Sequence, residues 1–330
     1  MALNFPWHLV SFRHPPKDQV HIGILEGESV IDLNSEWVAS GRPVPEGMRE
    51  VLEWHSREDL SGFLDQATRK RRGLFSRKDV TLLAPITNPR MFYDFLGFEK
   101  HVRQIREKRG AVVPELWYKR PAYYVGSVAP DKLFGEGEVI FPRFVEKPDY
   151  ECEVALVIGR PGRFLEVAEA AQFIRDHCFF TLLNDWSARD YQKLDMDLGL
   201  GVSHSKSIAG TSFGPCLVHA SRYQFDAQGN PDIRIRLVVN GEVRSEANYQ
   251  SVTWGFAKIL AFLGQENICV FTGDILGSGT IGSGCIAEFG PKLVDGKEVE
   301  PAKLPWLKSG DTVTLEADKI GQLTSQVRLV

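Results

Sequence analysis

Short apolar runs alternate with turn signals over residues 8–33: His8-Leu9-Val10, His21-Ile22-Gly23-Ile24-Leu25 and Val30-Ile31-Asp32-Leu33 are separated by His14-Pro15-Pro16 and Glu26-Gly27-Glu28. This pattern predicts a small antiparallel sheet. Residues 46–76 are richer in helix formers and charge and predict helices that close off this first unit, and the two prolines of 82–90 mark a linker. From Met91 onward strand-like segments dominate, at 91–96, 138–142, 151–158, 178–184, 215–219, 232–239, 268–276, 284–289 and 311–330, while helical periodicity is confined chiefly to 98–109, 166–176 and 253–263. Many strands with few helices argue against regular β-α alternation. They predict an α+β, β-rich fold on a mixed, strongly curved sheet, with a small N-terminal β-rich domain at 1–84 and a main domain at 85–330.

Within the 151–158 segment, side chains alternate between faces, so Glu151 and Glu153 point the same way. An isolated Glu-x-Glu is more often a pair of exposed carboxylates. Here Ala155 and Val157 continue the glutamate face with apolar groups, which places the pair at the rim of a buried surface. Two such carboxylates repel and lose hydration unless a cation neutralises them, and a divalent ion bound through oxygen is the usual solution. Asp185, which ends the apolar run from Cys178 to Leu183, is the natural third ligand.

Composition narrows the partners. The chain has 330 residues, 43% hydrophobic and 25% charged, with a formal net charge of −4; nothing in that balance predicts nucleic acid or an anionic membrane as partner. A small molecule is the expected ligand. No apolar run reaches the roughly twenty residues of a membrane span, and Met1-Ala2-Leu3-Asn4 lacks the charged and apolar regions of a secretory signal, so a cytoplasmic protein is expected. The five cysteines, Cys152, Cys178, Cys216, Cys269 and Cys285, are scattered and mostly in apolar contexts. They read as reduced core residues, not as a disulfide framework or a zinc site.

Asp94 precedes a helix whose apolar stripe is Phe98, Val102 and Ile105, and His101 lies on that inward face. An inward histidine is commonly only a hydrogen-bonded core residue. The basic run Lys100, Arg103, Arg106, Lys108 and Arg109 reads as a solvated face that could attract an anion. Lys206 lies in a polar loop between Gly201 and Gly210. Gly277-Ser278-Gly279-Thr280-Ile281-Gly282 matches G-x-G-x-x-G, but no helix is predicted after it, so the dinucleotide reading fails its context test. His-Glu-x-x-His and paired Cys-x-x-Cys motifs are absent, which removes the zinc-protease reading.

Tyr150-Glu151-Cys152-Glu153, Asn184-Asp185-Trp186-Ser187-Ala188-Arg189-Asp190, Lys206, Ser278-Gly279-Thr280 and Ile320-Gly321 follow the order seen in the fumarylacetoacetate hydrolase superfamily. The resemblance runs from about residue 82 to the C-terminus, and the N-terminal unit is similar to the small β-rich domain of bacterial members. It implies the curved mixed-sheet roll, or pseudo-barrel, of that family and a homodimer. Asp94-Phe95-Leu96-Gly97-Phe98-Glu99-Lys100-His101 resembles the segment that supplies an aspartate ligand and the catalytic histidine. The resemblance thus implies a metal held by Asp94, Glu151, Glu153 and Asp185, His101 as general base, and Glu288 as its carboxylate partner. It also implies Arg189, Gln192 and Lys206 as oxyanion donors, with Tyr124, Thr280 and Lys119 as substrate contacts. The pattern departs from the family where Gln104 replaces a glutamate three residues after the histidine and where Leu96 and Met196 stand in place of tyrosine contacts.

All-oxygen ligation favours Mg2+, with Mn2+ or Ca2+ as alternatives, over zinc or copper. The expected reaction is hydrolysis of a carbon-carbon bond in a 1,3-diketo acid similar to fumarylacetoacetate or an acylpyruvate, in aromatic compound catabolism. The alternative is decarboxylation, isomerisation or hydration of a 2-oxo acid through the same metal-enolate chemistry.

Overall fold

The computed structural model describes residues 5–15, 19–289 and 304–330, with the backbone of two short strands at Leu293–Val294 and Lys297–Glu298; Met1-Ala2-Leu3-Asn4 lies outside the described residues. The fold is α+β and sheet-rich. Ten strands follow one another across the long sheet in the order Leu74–Ser76, Ser29–Asp32, His21–Glu26, His8–Arg13, Thr211–His219, Cys178–Asp185, Cys152–Ile158, Ile275–Gly277, Phe92–Phe95 and Tyr123–Val125. Thr81–Leu82 adds to His8–Arg13, and Leu133–Phe134 adds to Thr211–His219. The sheet is mixed, because Ile275–Gly277 runs parallel to Phe92–Phe95 and antiparallel to Cys152–Ile158. A second sheet, ordered Glu242–Asn248, Arg234–Val239, Thr312–Ala317, Gly321–Leu329 and Gly137–Phe141, packs against Cys178–Asp185 and Thr211–His219.

Every residue of Cys152–Ile158 is buried, because both faces of the strand are covered. Cys152, Val154, Leu156 and Ile158 enter the larger core, shared with the second sheet and with Ile259, Leu260 and Leu263 of helix Phe256–Gln265. Ala155 and Val157 face the opposite core, with Phe179, Leu183, Phe213 and the N-terminal Leu9, Ile22 and Trp37. The alternation read from the sequence therefore places the glutamate face against the N-terminal unit. The N-terminal strands are continuous with the main sheet through the register His8↔Val218 and Leu9↔Leu217.

Three expected elements differ. Of the expected 268–276 strand, only Ile275–Gly277 joins the sheet, with Val270 forming an isolated bridge to Gly162. The polar loop expected around Lys206 is a helix, Ser203–Ala209, stopped by Gly210 at φ 87°, a left-handed-side conformation that glycine adopts without strain. The 284–289 strand is instead a 3-10 turn, Ile286–Phe289, because its first amides turn away from any ladder to bind the carboxylate of Asp149. Among the described residues, no helix is long and apolar enough to cross a membrane. All five cysteines are free thiols, and all but Cys269 are buried.

A histidine cluster sits where the N-terminal unit meets the main sheet. Phe5 packs its ring 5.1 Å from His55 and 5.2 Å from His219. Burial, with His55 and His177 nearby, pushes His219 down to about 4; His55 and His177 are lowered as well, mainly by burial. The groups facing them are Asp59, Asp176 and Arg160. A histidine whose folded pKa lies below its unfolded value of about 6.5 destabilises the fold as pH drops from that value toward the folded one. Chemical denaturation is therefore expected to show stability falling between about pH 6.5 and 4, with about 3 kcal/mol of the loss from His219. His219→Gln should flatten that part of the curve; an unchanged slope would remove this cluster as the cause.

Candidate active site

The site is built at one end of four adjacent strands. Glu153 opens the Cys152–Ile158 strand's odd-numbered face and Asp185 ends the neighbouring strand, whose register pairs Cys152 with Asn184. Asp94 lies two strands away on the other side, across Ile275–Gly277, with Gly277 opposite both Ala155 and Asp94. Carboxylate oxygens of Asp94, Glu153 and Asp185 come within 4.8 Å of one another, and all three residues are buried.

Gly277 is what lets them meet. A Cβ there would lie 2.2 Å from Asp94 Oδ1 and 3.2 Å from Glu153 Oε2. Two residues on, Gly279 (φ 79°) turns its amide onto Glu153 Oε2 at 2.9 Å, and a Cβ there would strike the Phe95 carbonyl oxygen at 2.3 Å. Thr280 Oγ1 donates to Glu153 Oε1 at 3.3 Å. The glycine string discounted as a dinucleotide motif is thus a carboxylate cradle. Gly277→Ala is expected to weaken binding of Mn2+ by about 10- to 100-fold, measured by calorimetric titration; wild-type affinity would show that the cradle is not needed.

Electrostatics fit a cation among these oxygens. Asp94 Oδ1 is buried without a hydrogen-bond partner. Burial, then the neighbouring Asp185 carboxylate, pushes Asp94 well up; burial, then Asp94, Glu151 and Asp185, does the same to Glu153. Asp185 is raised by burial and by Glu151 although Lys206 opposes the shift. Three buried acids with raised pKa values, one with an orphaned oxygen, form an oxygen donor set suited to a hard divalent ion such as Mg2+.

Glu151 differs from its neighbour two residues on. Burial alone would raise its pKa, but Lys206 and Arg189 outweigh burial and hold the carboxyl well below the ordinary range. Oε1 accepts from Arg189 Nη2 at 2.7 Å and Oε2 from Lys206 Nζ at 2.5 Å. Lys206 also pairs with Asp185 Oδ2 at 2.6 Å and donates to Ser187 Oγ at 2.8 Å. With its three protons so directed, the ammonium is placed to balance charge, and none is free for a substrate oxygen in this arrangement. Arg189 donates from Nε to Asp149 Oδ2 and from Nη1 to Gln192 Oε1, and Gln192 lines the cavity.

His101, on helix Glu99–Lys108, is buried and within 2.8 Å of Glu288 Oε1 through Nδ1. Glu288 is positioned by its 3-10 turn and accepts from the Cys285 amide at 3.1 Å through Oε2. With Nδ1–H donated to the carboxylate, Nε2 is the nitrogen available to a substrate. Asp94, His101, Tyr124, Glu151, Glu153, Arg189, Gln192, Lys206 and Thr280 line one cavity of 880 Å³. Asp185 lies behind them, where it accepts from Tyr124 Oη at 2.8 Å. Tyr124 therefore faces both the carboxylates and the cavity. Lys119 does not join the site: its side chain is 71% exposed beside Glu115, because it ends a short helix, Glu115–Lys119, that buries only Trp117.

Two features escaped sequence reasoning. Asp149, fully buried, binds Arg189 and the turn bearing Glu288; its only signal is its place next to Tyr150-Glu151. Lys147 and Lys193 join Arg106, Lys108 and Arg109, already read from the sequence as a run that could attract an anion, in lining the same cavity, where Asp197 is the one acid besides Asp94, Glu151 and Glu153. Burial, then the cations Arg106 and Arg189, lowers Arg109.

Residues 90–328 match the sequence family described as Fumarylacetoacetate (FAA) hydrolase C-terminal. The chain is 27% identical over 309 residues to "Oxaloacetate tautomerase YisK" of Bacillus subtilis (strain 168), covering 92% of this chain and 89% of the relative. It is also 27% identical over 330 residues to "Oxaloacetate tautomerase FAHD2A, mitochondrial" of Bos taurus, covering 97% and 91%. Among solved structures, a probable 2-hydroxyhepta-2,4-diene-1,7-dioate isomerase from Mycobacterium abscessus has the same fold, with a TM-score of 0.68 at 23% identity, covering 98% of this chain and 99% of that one.

Proposed function

Because the chain belongs to the fumarylacetoacetate hydrolase family, we propose that it is a metal-dependent tautomerase or isomerase of a 2-oxo dicarboxylic acid such as oxaloacetate. The observation that carries the reading is that Asp94 and Glu153 of the buried carboxylate trio line one cavity together with His101, whose Nδ1 meets Glu288, and with several cations. The names of its relatives favour isomerisation over the carbon-carbon hydrolysis that the motifs suggest.

Asp94, Glu153 and Asp185 would hold the ion, with Glu151 beside them balanced by Arg189 and Lys206. When bound, such an ion supplies Lewis acidity that lowers the cost of an enolate. His101, oriented by its hydrogen bond to Glu288, takes the proton from the carbon next to the ketone or returns it there. The enol oxygen gains or loses a proton in exchange, so the atoms balance with no water consumed. The amide of Gln192 and the remaining N–H groups of Arg189 are the donors available to substrate oxygens. Arg106, Arg109, Lys147 and Lys193 favour a substrate with a second negative charge. Leu96 and Met196, which line the same cavity, supply no polar group for the second ketone of a diketo acid.

A competing reading rests on the same dyad, since His101 and Glu288 could deprotonate a water and cleave an acylpyruvate. The deciding experiment incubates the Mg2+-loaded protein separately with oxaloacetate and with an acylpyruvate. Faster decay of the enol absorbance, without release of pyruvate or carbon dioxide, is the expected result. Two carbon fragments from the acylpyruvate, with no effect on oxaloacetate tautomerisation, would overturn the proposal in favour of hydrolysis.

A further inference from the structure

Asp149 is one of the most fully enclosed carboxylates in the molecule, with 0% exposure, and it does not line the cavity. Its two oxygens accept four hydrogen bonds. Oδ1 takes the amides of Tyr150 and Ile286, each at 2.8 Å, and Oδ2 takes the Ala287 amide at 3.0 Å and Arg189 Nε at 2.8 Å. A carboxylate offers about four lone-pair directions, so this one is saturated.

Those four donors belong to two arms of the site that are far apart in sequence. Ile286 and Ala287 open the 3-10 turn that presents Glu288 to His101 Nδ1. Arg189 carries the charge to Glu151 Oε1 and holds Gln192 Oε1. Tyr150, the third partner, leads straight into Glu151. We infer that Asp149 is a positioning residue that sets the His101–Glu288 base and the Arg189–Glu151 pair in one fixed geometry. This rests on the reading of His101 as the base of a proton transfer.

Asp149→Asn keeps size and shape, but whichever way the amide is turned, its NH2 faces donors, either Tyr150 and Ile286 or Ala287 and Arg189. One arm must let go. The carboxylate trio is not touched, so binding of Mg2+ should be unaffected.

Three measurements on the 330-residue chain test it. For Asp149→Asn, kcat is expected to fall about 10- to 100-fold with little change in KM, and the Mg2+-induced rise in thermal midpoint should match wild type. In a double-mutant cycle, Asp149→Asn should cost little further activity in a Glu288→Gln background, since coupled residues do not act additively. The third readout needs no activity: the proton shared by His101 and Glu288 should give a downfield proton resonance in wild type, absent in His101→Gln and lost or moved in Asp149→Asn. Asp149→Ser, which leaves room for water to meet the freed amides, repeats the set. Should wild type show the resonance but no tautomerase activity, the functional reading fails, and the resonance alone judges Asp149. Full kcat with an unmoved resonance, additive effects in the cycle, or failure of both variants to fold would each overturn the positioning role.

Discussion

His101→Gln is expected to lower turnover of an enolisable 2-oxo acid by about two to four orders of magnitude, the contribution usual for a positioned general base. The glutamine amide can still donate to Glu288 Oε1, so the buried carboxylate keeps a partner and the fold should keep its thermal midpoint. The trio of Asp94, Glu153 and Asp185 does not include His101, so Mg2+ should stabilise the variant as it does wild type. Loss of activity with intact metal response isolates the base from the ion. Glu288→Gln should have a smaller effect, because it leaves the imidazole in place and removes only the charge that orients and stabilises it. Stopped-flow decay of the enol absorbance gives both numbers; a His101→Gln enzyme within tenfold of wild type would mean the proton-transferring group is another residue of the cavity.

Much of this site was legible because strand periodicity is a local property. The alternation of Cys152–Ile158 places Glu153 with Ala155 and Val157, and the helical stripe through Phe98 and Val102 turns His101 inward; both follow from spacing alone. The division of labour between Glu151 and Glu153 did not. They share a face and a chemistry, and what separates them is Arg189 and Lys206, which arrive from 38 and 55 residues away. The segment 284–289 reads as a strand from its apolar residues, yet the capping carboxylate of Asp149, 137 residues earlier, makes it a turn. The glycines at 277 and 279 were visible as glycines, but the oxygen atoms they make room for were not. Lys119 is the opposite case, since the resemblance implies a role at a position that the local helix leaves exposed and outside the cavity lining.

Lys206→Met should be the most damaging single change to stability in the site, and its size should depend on metal. Lys206 is 5% exposed and holds two buried carboxylates, Glu151 and Asp185. Methionine fills a similar volume but leaves those anions short of a cation, a loss of about 3–5 kcal/mol when one partner of a buried pair is removed. With four carboxylates and only Arg189 to balance them, the metal-free variant carries one more uncompensated negative charge than wild type. A divalent ion should therefore recover more stability in the variant than in wild type. The pH dependence follows from the same charges. Carboxyls whose folded pKa is raised bind protons more readily folded than unfolded, so the stability they contribute at low pH is lost as pH rises through the folded value. Removing Lys206 takes away an interaction that lowers Asp94 and Asp185, so the variant's deficit should be larger at about pH 8 than at about pH 6. Denaturant midpoints in EDTA and in Mg2+ at both pH values test this; a deficit equal under all four conditions would reduce Lys206 to a packing residue.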